Sequence, residues 1–269
     1  MENQKDFILY REAWIRKESP HKSNKIRIEV AKILLSGGGK FLRNTFNWDK
    51  QMPTTFWYII KDSFGGIDEL PTKVRNQVRK SLKSYDFKKV GIEEMIDKGY
   101  VVYNESRKRF GYTNGVSKEQ FAGRCRSAVK TGQDLWLGID LITEKAECFA
   151  FCRCYDDYCD YISMGVNPDA PKSTYPMYGL IFEMNRYYLN ELGLRYVLDG
   201  ARSITEHSNI QPFLEEKFKF RKAFCDLQIV YHPLLGVAVR LLFPFRRWIK
   251  NTKVTAILKQ EAWARGLSQ

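Results

Sequence analysis

The sequence has no run of apolar residues long enough to cross a membrane. A spanning helix needs about 20 such residues in succession, whereas the nearest candidate, Pro233 to Phe245, is short and contains Arg240. The segment from Met1 to Trp14 lacks the basic stretch followed by an apolar stretch that is typical of a secretory signal. We therefore expect a cytoplasmic protein that is not integral to a membrane.

The usual spacings of metal ligands and catalytic nucleophiles are also missing. Four of the six cysteines lie between Cys148 and Cys159, but their C-x3-C-x-C-x4-C spacing lacks the C-x2-C pairs of most zinc sites. We favour reduced, buried cysteines on a strand over a metal site, and we predict no metal. No Walker loop, H-E-x-x-H pattern or Ser-His-Asp order occurs, so hydrolase and kinase functions lose their main support.

The 269 residues do contain enough apolar material for a core, together with an excess of positive charge. Hydrophobic residues make up 44% and aromatic residues 14% of the chain, which excludes disorder. The net charge of +13 is concentrated in residues 71–90 and 232–269, because each of these segments has seven basic residues and one acidic residue. A polyanion, a phosphate or an anionic membrane is expected to bind there first.

Apolar periodicity predicts a mixed order of helices and strands. Predicted helices cover 25–35, 71–84, 92–109, 117–130, 176–193 and 208–218, with further helix after 232. Predicted strands cover 41–48, 54–61, 87–90, 135–142, 146–155, 158–164, 195–199 and 220–231. This order predicts an α+β (mixed α/β) fold with one central sheet. We divide the chain into an N-terminal extension (1–50), a main domain (51–250) and a basic C-terminal helix (251–269).

Three segments carry a resemblance to a known superfamily. SNIQPFLEEKFKF, from Ser208 to Phe220, resembles the helix-to-strand signature of the GNAT acyltransferases. A proline-led helix ending at Gly193 and a strand ending at Asp199 are similar to the carboxyl half of Fem-type peptidyltransferases, which share the GNAT fold. FWYIIKDSF followed by LPTKVRNQVRKSLKS resembles the entry of Fem-like proteins. The resemblance covers roughly residues 54–231 and implies a mostly antiparallel central sheet flanked by helices.

The resemblance implies a donor, although the sequence departs from the family pattern. GNAT enzymes hold the pyrophosphate of acyl-CoA on a glycine-rich loop at a helix N-terminus, but residues 164–177 contain only Gly165. The family's general-acid tyrosine would fall near Glu215, and Lys219 replaces the family glycine before Phe220. The resemblance thus implies acetyl-CoA or another acyl-CoA as donor, although the glycine-rich loop that binds it is missing. The aminoacyl-tRNA used by Fem-type enzymes is the alternative donor.

Transfer of an acyl group to an amine needs a base, a stabilised oxyanion and a protonated leaving group. Candidate groups follow the predicted strand 195–199. We predict catalytic roles for Asp199, Glu206 and His207, and cofactor-binding roles for Arg202, Asn209 and Lys217. The competing interpretations are turn chemistry at Asp199-Gly200 and polar residues at a helix entry for Glu206 and His207.

We therefore predict a Fem-like acyltransferase that moves an acyl or aminoacyl group to an amine on a cell-envelope or polysaccharide precursor. The alternatives are a nucleic-acid-binding protein that uses the basic helix 71–84, and a degenerate GNAT fold that binds a donor without turnover. Residues 233–253 combine an apolar block with basic residues. They predict either a helix that closes the core or a peripheral contact with the inner membrane face, which would suit a lipid-linked acceptor.

Overall fold

The computed structural model describes residues 4–108, 114–204 and 209–268. The chain divides into two compact units. Unit 1 comprises Met1–Tyr58, Ala201–Glu206 and Lys222–Gln269, and unit 2 comprises Ile59–Gly200 and His207–Arg221. The predicted domain boundaries at residues 50 and 250 stay predictions.

Unit 1 contains one end of the sheet and its helices. Its elements are β1 (Phe7–Tyr10), β2 (Ala13–Arg16), α1 (Ile28–Ser36), β3 (Phe41–Lys50), the first half of β4 (Phe56–Lys61), β10 (Arg221–Tyr231), α7 (Pro233–Leu242) and α8 (Thr252–Ala264). The strand order is β1-β2-β3-β10-β4. β1 with β2 and β3 with β10 are antiparallel, whereas β2 and β3 are parallel. α1 covers β3, and its Leu34 and Leu35 pack with Leu42 in a common core.

Unit 2 contains the second half of β4 and the other strands. Its further elements are α2 (Thr72–Ser84), β5 (Tyr85–Val90), α3 (Ile92–Lys108), α4 (Lys118–Lys130), β6 (Gln133–Asp140), β7 (Ala146–Cys154), β8 (Tyr158–Val166), α5 (Pro176–Asn185), β9 (Tyr196–Ala201) and α6 (Ile210–Phe218). The strand order is β4-β9-β8-β7-β6-β5. β5 to β8 form an antiparallel meander. β8 and β9 are parallel because α5 connects them as a crossover.

The prediction of an α+β fold with a mostly antiparallel sheet is confirmed. The capping box at the start of α4 is confirmed too, because the Gln120 amide donates to Ser117 Oγ at 3.2 Å and the Ser117 amide donates to Gln120 Oε1 at 2.9 Å. Cys148, Cys152 and Cys159 are fully buried, as predicted. Within the ranges that the structure describes, we find no group of side chains suited to hold a metal and no helix that is long and apolar enough to cross a membrane.

Two elements differ from their predictions. The hairpin of β1 and β2 was not predicted, because Arg11 and Glu12 form its turn with φ of 48° and 68°. This left-handed conformation usually requires glycine or asparagine. The predicted helix 176–193 changes at Arg186 into a π-helical segment that ends at Glu191.

The close packing of α5 on β5 leads to a first prediction. A Cβ on Gly179 would lie 2.3 Å from a ring carbon of Phe87 and 2.5 Å from Ser81 Oγ. We expect Gly179→Ala to lower the free energy of unfolding by about 1–3 kcal/mol, because the ring has to shift in a packed core. The matched control is Gly123→Ala in α4, where a Cβ meets nothing within 4 Å and should stabilise by up to about 1 kcal/mol. Urea unfolding of both variants measures the difference, and equal effects would contradict the prediction.

Candidate active site

The parallel strands β8 and β9 pair only at their beginnings. The register runs from Tyr158 with Tyr196 to Asp160 with Leu198, although β8 continues to Val166 and β9 to Ala201. Among the described residues of β8 and β9, no backbone pairing between the two strands follows the pair of Asp160 with Leu198. Unpaired strand edges present amide and carbonyl groups that an extended ligand can bind. The candidate site is therefore the opening that begins after Asp160.

The bend in β8 has a local cause. Phe151 of β7 pairs with Ser163, but the next residue, Cys152, pairs with Tyr161, so Ile162 is an extra residue in β8. Such a β-bulge bends its strand and increases the local twist. On the other strand, Gly200 has a φ of 75°, which ends the regular extended backbone of β9 directly after Asp199. The bulge and the glycine both lie where the ladder between the two strands ends.

Two aspartates lie where the strands separate. Asp160 pairs with Arg153, which shares a sheet face with Phe151, and that face is covered by α3 and α4. Asp199 lies two residues beyond Val197, which pairs with Cys159, so alternation places Asp199 on the opposite face. Both side chains are partly buried. The opening is thus flanked by one carboxyl group on each face of the sheet.

Burial changes the acidity of both carboxyl groups in the same direction. It raises the pKa of Asp160 to about 7, although the positive charge of Arg153 acts against this rise. Burial also raises the pKa of Asp199 well above its usual value, and the charge of Asp160 adds to this effect. At neutral pH, Asp160 is therefore near its midpoint, and Asp199 binds its proton more tightly than an ordinary aspartate does. Two carboxyl groups with separated pKa values are the usual arrangement of a general acid and a general base.

A hydrogen-bonded aromatic layer supports the α5 side of the opening. Tyr161 donates to Asn185 Oδ1 at 2.8 Å, and both residues are almost completely buried. Tyr188 accepts from Trp136 Nε1 at 2.8 Å and donates to Asp134 Oδ2 at 2.9 Å. Burial raises the pKa of Tyr161 well above its usual value, so this tyrosine stays neutral. These bonds hold the strand rigidly next to the opening.

The other predicted site residues lie in different places, and some lie outside the described residues. Glu206 and His207 lie outside the described residues. Asn209 is the residue before α6 and is exposed, and its side chain makes no capping hydrogen bond. Lys217, on α6, is paired with Glu216, which raises the pKa of the lysine. Gln211 of the same helix donates to the Asp199 carbonyl oxygen at 3.1 Å and so ties the start of α6 to β9.

Arg202 belongs to unit 1 and already has fixed partners there. Its guanidinium carbon lies 4.2 Å from the ring centre of Trp57 and 4.1 Å from that of Trp263. Its Nη1 donates to the carbonyl oxygen of Thr55. Such stacking and hydrogen bonding are typical of an arginine that stabilises a fold. Its predicted role in cofactor binding stays a prediction.

The segment between β8 and α5 does not fit the pyrophosphate of CoA. Gly165 is a packing glycine in β8, since a Cβ there would lie 2.4 Å from a ring carbon of Phe149. Pro176 is the first residue of α5 and has no amide hydrogen. The Tyr178 amide donates a hydrogen bond to the Tyr175 carbonyl oxygen at 2.9 Å. The first turn therefore lacks the set of free amides that an anion needs.

Comparison with known proteins shows what this architecture resembles. A crystal structure of FemX is similar with a TM-score of 0.57 and 9% identity, over 78% of this chain and 77% of that chain. The structure of L-PGS from Bacillus licheniformis is similar with a TM-score of 0.53 and 13% identity, over 97% and 85%. The C-terminal domain of a protein assigned as a lysylphosphatidylglycerol synthetase, from Agrobacterium fabrum, gives 0.53 and 10%, over 87% and 82%. No protein-family model and no curated protein sequence matches. The chain has a fold similar to that of the FemX and L-PGS structures.

The sequence predicted a role for Asp199 and none for Asp160, and the catalytic role of Asp199 stays a prediction. Asp199 was visible because it ends a strand and precedes a glycine. Asp160 lies within a strand, where a charged residue is normally taken to be on a solvated face. Only the tertiary structure shows that this carboxyl group is partly buried.

Proposed function

We propose that this protein is an acyltransferase that moves an acyl or aminoacyl group from a carrier to an amine on a cell-envelope or polysaccharide precursor. The observation that carries the proposal is the separation of β8 from β9 between Asp160 and Asp199. The fold supports it, since FemX and L-PGS have a similar architecture. The acceptor class follows from the Fem-like resemblance.

The geometry supports a direct transfer. The acceptor amine attacks the carbonyl carbon of the donor ester, and a carbon–nitrogen bond forms while the bond to the carrier oxygen breaks. Asp160, with a pKa of about 7, takes the proton of the attacking amine. Asp199, whose pKa is raised well above its usual value by burial, donates its proton to the leaving oxygen. Unpaired amides of β8 beyond Asp160 are placed to stabilise the oxyanion.

We propose an aminoacyl-tRNA rather than acyl-CoA as donor. The first turn of α5 does not provide a cradle for the CoA pyrophosphate, because Pro176 removes one amide and Tyr175 uses another. The proposed contacts of Asn209 and Lys217 with the donor do not depend on that cradle. Glu206 and His207 remain proposed catalytic residues.

The donor is tested by binding and by turnover. Isothermal titration of the full chain with acetyl-CoA, free CoA and an aminoacyl-tRNA ranks the donors, and Asn209→Ala and Lys217→Ala test the two proposed contacts. We expect binding of the aminoacyl-tRNA and at least tenfold weaker binding of both CoA ligands. Tight binding of acetyl-CoA would overturn the choice of donor but not the transfer reaction. Absence of any transfer with amine acceptors, despite binding, would favour the degenerate fold that only binds.

The basic surface of α2 supports a nucleic-acid contact in its own right. Val74 and Val78 face the core and are buried, whereas four basic side chains of the same helix are exposed: Lys73, Arg79, Lys80 and Lys83. Arg75 instead contacts Asp68 at 3.4 Å. Clustered exposed cations of this kind are typical of an electrostatic contact with phosphates.

This contact gives a second prediction. We expect the double variant Lys80→Gln/Lys83→Gln to weaken tRNA binding and to lower the slope of log K against log salt by about two, since each phosphate contact contributes about 0.9. The matched control is Lys118→Gln/Lys130→Gln on α4, where both side chains are also exposed. Filter binding between 50 and 200 mM salt measures the slope. An equal loss in both double variants would show a general charge effect and contradict the assignment.

A further inference from the structure

Helix α7 and the turn after it expose a continuous apolar stripe. Its members are Leu234, Val237, Leu241, Phe245 and Trp248, with exposed fractions of 79%, 57%, 68%, 53% and 76%. They are three or four residues apart, which places them on one side of a helix. The rings of Phe245 and Trp248 lie 6.0 Å apart and extend the stripe. The solvent-facing side of a surface helix normally carries polar residues, so an exposed apolar stripe is unusual.

The stripe is not the surface by which α7 joins its own unit. Val239 and Phe243 are the buried residues of the opposite side. They pack against Leu258 and Ala262 of α8 in a separate core cluster. The helix is therefore already fixed to unit 1 by one face, which leaves the face with the stripe uncovered within unit 1.

The surroundings of the stripe are positively charged. The sequence has no acidic residue between Asp226 and Glu261. Four exposed basic residues occur in or just after the helix: Arg240, Arg247, Lys250 and Lys253. Apolar groups and cations side by side fit the boundary between acyl chains and anionic headgroups.

We propose that the stripe of α7, with the adjacent basic residues, docks the protein on an anionic phospholipid membrane. The helix has 10 residues, which at 1.5 Å per residue is about half of the hydrocarbon thickness. It therefore lies in the plane of the interface with Leu241, Phe245 and Trp248 inserted among the acyl chains. This proposal does not depend on the acyl transfer proposed above, because the stripe is a surface of unit 1 and contains none of the proposed catalytic residues.

Co-sedimentation of the full chain with vesicles tests the proposal. We expect binding to vesicles of phosphatidylcholine with 30% phosphatidylglycerol, and at least tenfold weaker binding to phosphatidylcholine alone. Binding should decrease when salt is raised from 0.1 to 0.5 M, because salt screens the contribution of the charges. Acyl chains labelled with bromine should quench Trp248. The Trp248→Phe variant should still bind but lose this quenching, since the other tryptophans are more buried.

Two pairs of variants separate the apolar contribution from the charged one. Leu241→Asn/Phe245→Asn should reduce partitioning into the anionic vesicles at least tenfold, while Ile142→Asn, which replaces a side chain exposed to 92% in unit 2, should not. Arg247→Gln/Lys250→Gln should reduce it about 25-fold, at about fivefold per charge. The control Lys118→Gln/Lys130→Gln should change it less than twofold.

Three results would overturn the proposal. Absence of binding to anionic vesicles would remove the membrane as the partner. Equal losses in the stripe variants and their controls would show that another surface binds. A stable dimer in sedimentation velocity that Leu241→Asn/Phe245→Asn dissociates would identify a second copy of the chain as the occupant of the stripe.

Discussion

At pH 8, the Asp160→Asn variant is expected to be more stable than the native protein by up to about 4 kcal/mol. Burial raises the pKa of Asp160 from the model-peptide value of 3.8 to about 7, and each pKa unit corresponds to about 1.4 kcal/mol. Asparagine has nearly the same shape and carries no charge, so it avoids the cost of ionising a buried group.

The sign of the pH dependence follows from the direction of this shift. A carboxyl group whose pKa is raised by folding binds its proton more tightly in the folded state. Its favourable contribution is complete below about pH 4 and is lost as the pH rises toward 7. The difference between Asp160→Asn and the native protein should therefore be near zero at pH 4 and reach its maximum above pH 7.

Urea unfolding between pH 4 and pH 8 measures this difference. Asp86→Asn is the matched control, because Asp86 is exposed on β5 and should give a difference of less than about 0.5 kcal/mol at every pH. A constant difference between Asp160→Asn and the native protein over this range would show that the carboxyl group is ionised in the folded protein, and would exclude it as a base with a pKa near neutrality.

Replacement of Asp199 by asparagine is expected to reduce acyl transfer by about 10²- to 10⁴-fold, the usual range for loss of a general acid. The pKa of Asp199 is raised well above its usual value by burial and by Asp160, and a raised pKa favours the protonated form that a general acid needs. Asparagine keeps the size of the side chain and the hydrogen bond from Gln211 to the Asp199 carbonyl oxygen, but it has no proton to transfer.

Single-turnover assays with a labelled donor and an amine acceptor measure the transfer step, and donor binding is measured in parallel. We expect donor binding to change less than twofold in Asp199→Asn, with Asp86→Asn unchanged in both assays. The rate of the native protein should increase with pH through about 7, and Asp160→Asn should lose this increase. Retained transfer in Asp199→Asn would leave only the turn role for this residue.

The two substitutions also separate stability from function. A buried carboxyl group that lowers stability at neutral pH is kept by selection when its chemistry is needed. Higher stability together with lost transfer in Asp160→Asn is the combination that the active-site assignment requires. Higher stability with full transfer would show that Asp160 is only a buried residue of the sheet.

Most of the helices and strands were predictable from the sequence because their signals are local. The apolar spacing of Val74 and Val78 predicted α2, and the Ser117 and Gln120 pair predicted the start of α4. The hairpin of β1 and β2 escaped because its turn has two non-glycine residues with positive φ. The boundary between α5 and its π-helical end has no sequence signal that we recognise.

The candidate site was predictable only in part. Asp199 is visible in the sequence because it ends a strand, whereas Asn209 and Lys217, which were taken from the family-like segment, stay predictions. The strand opening was not predictable, because it depends on the extra residue Ile162 in the pairing of β7 with β8. Register is set by contacts between residues distant in sequence, and a single sequence does not display them.

The sequence by itself determined the element types, the α+β class and the concentration of positive charge in two segments. Only the tertiary structure decided that Asp160 is partly buried and that the apolar side of α7 from Leu234 to Trp248 faces solvent. The physical reason is that helix and strand periodicity depends on neighbours within a few residues. Burial depends on which distant elements cover a side chain, and burial sets both the pKa of the aspartate and the apolar surface that stays exposed.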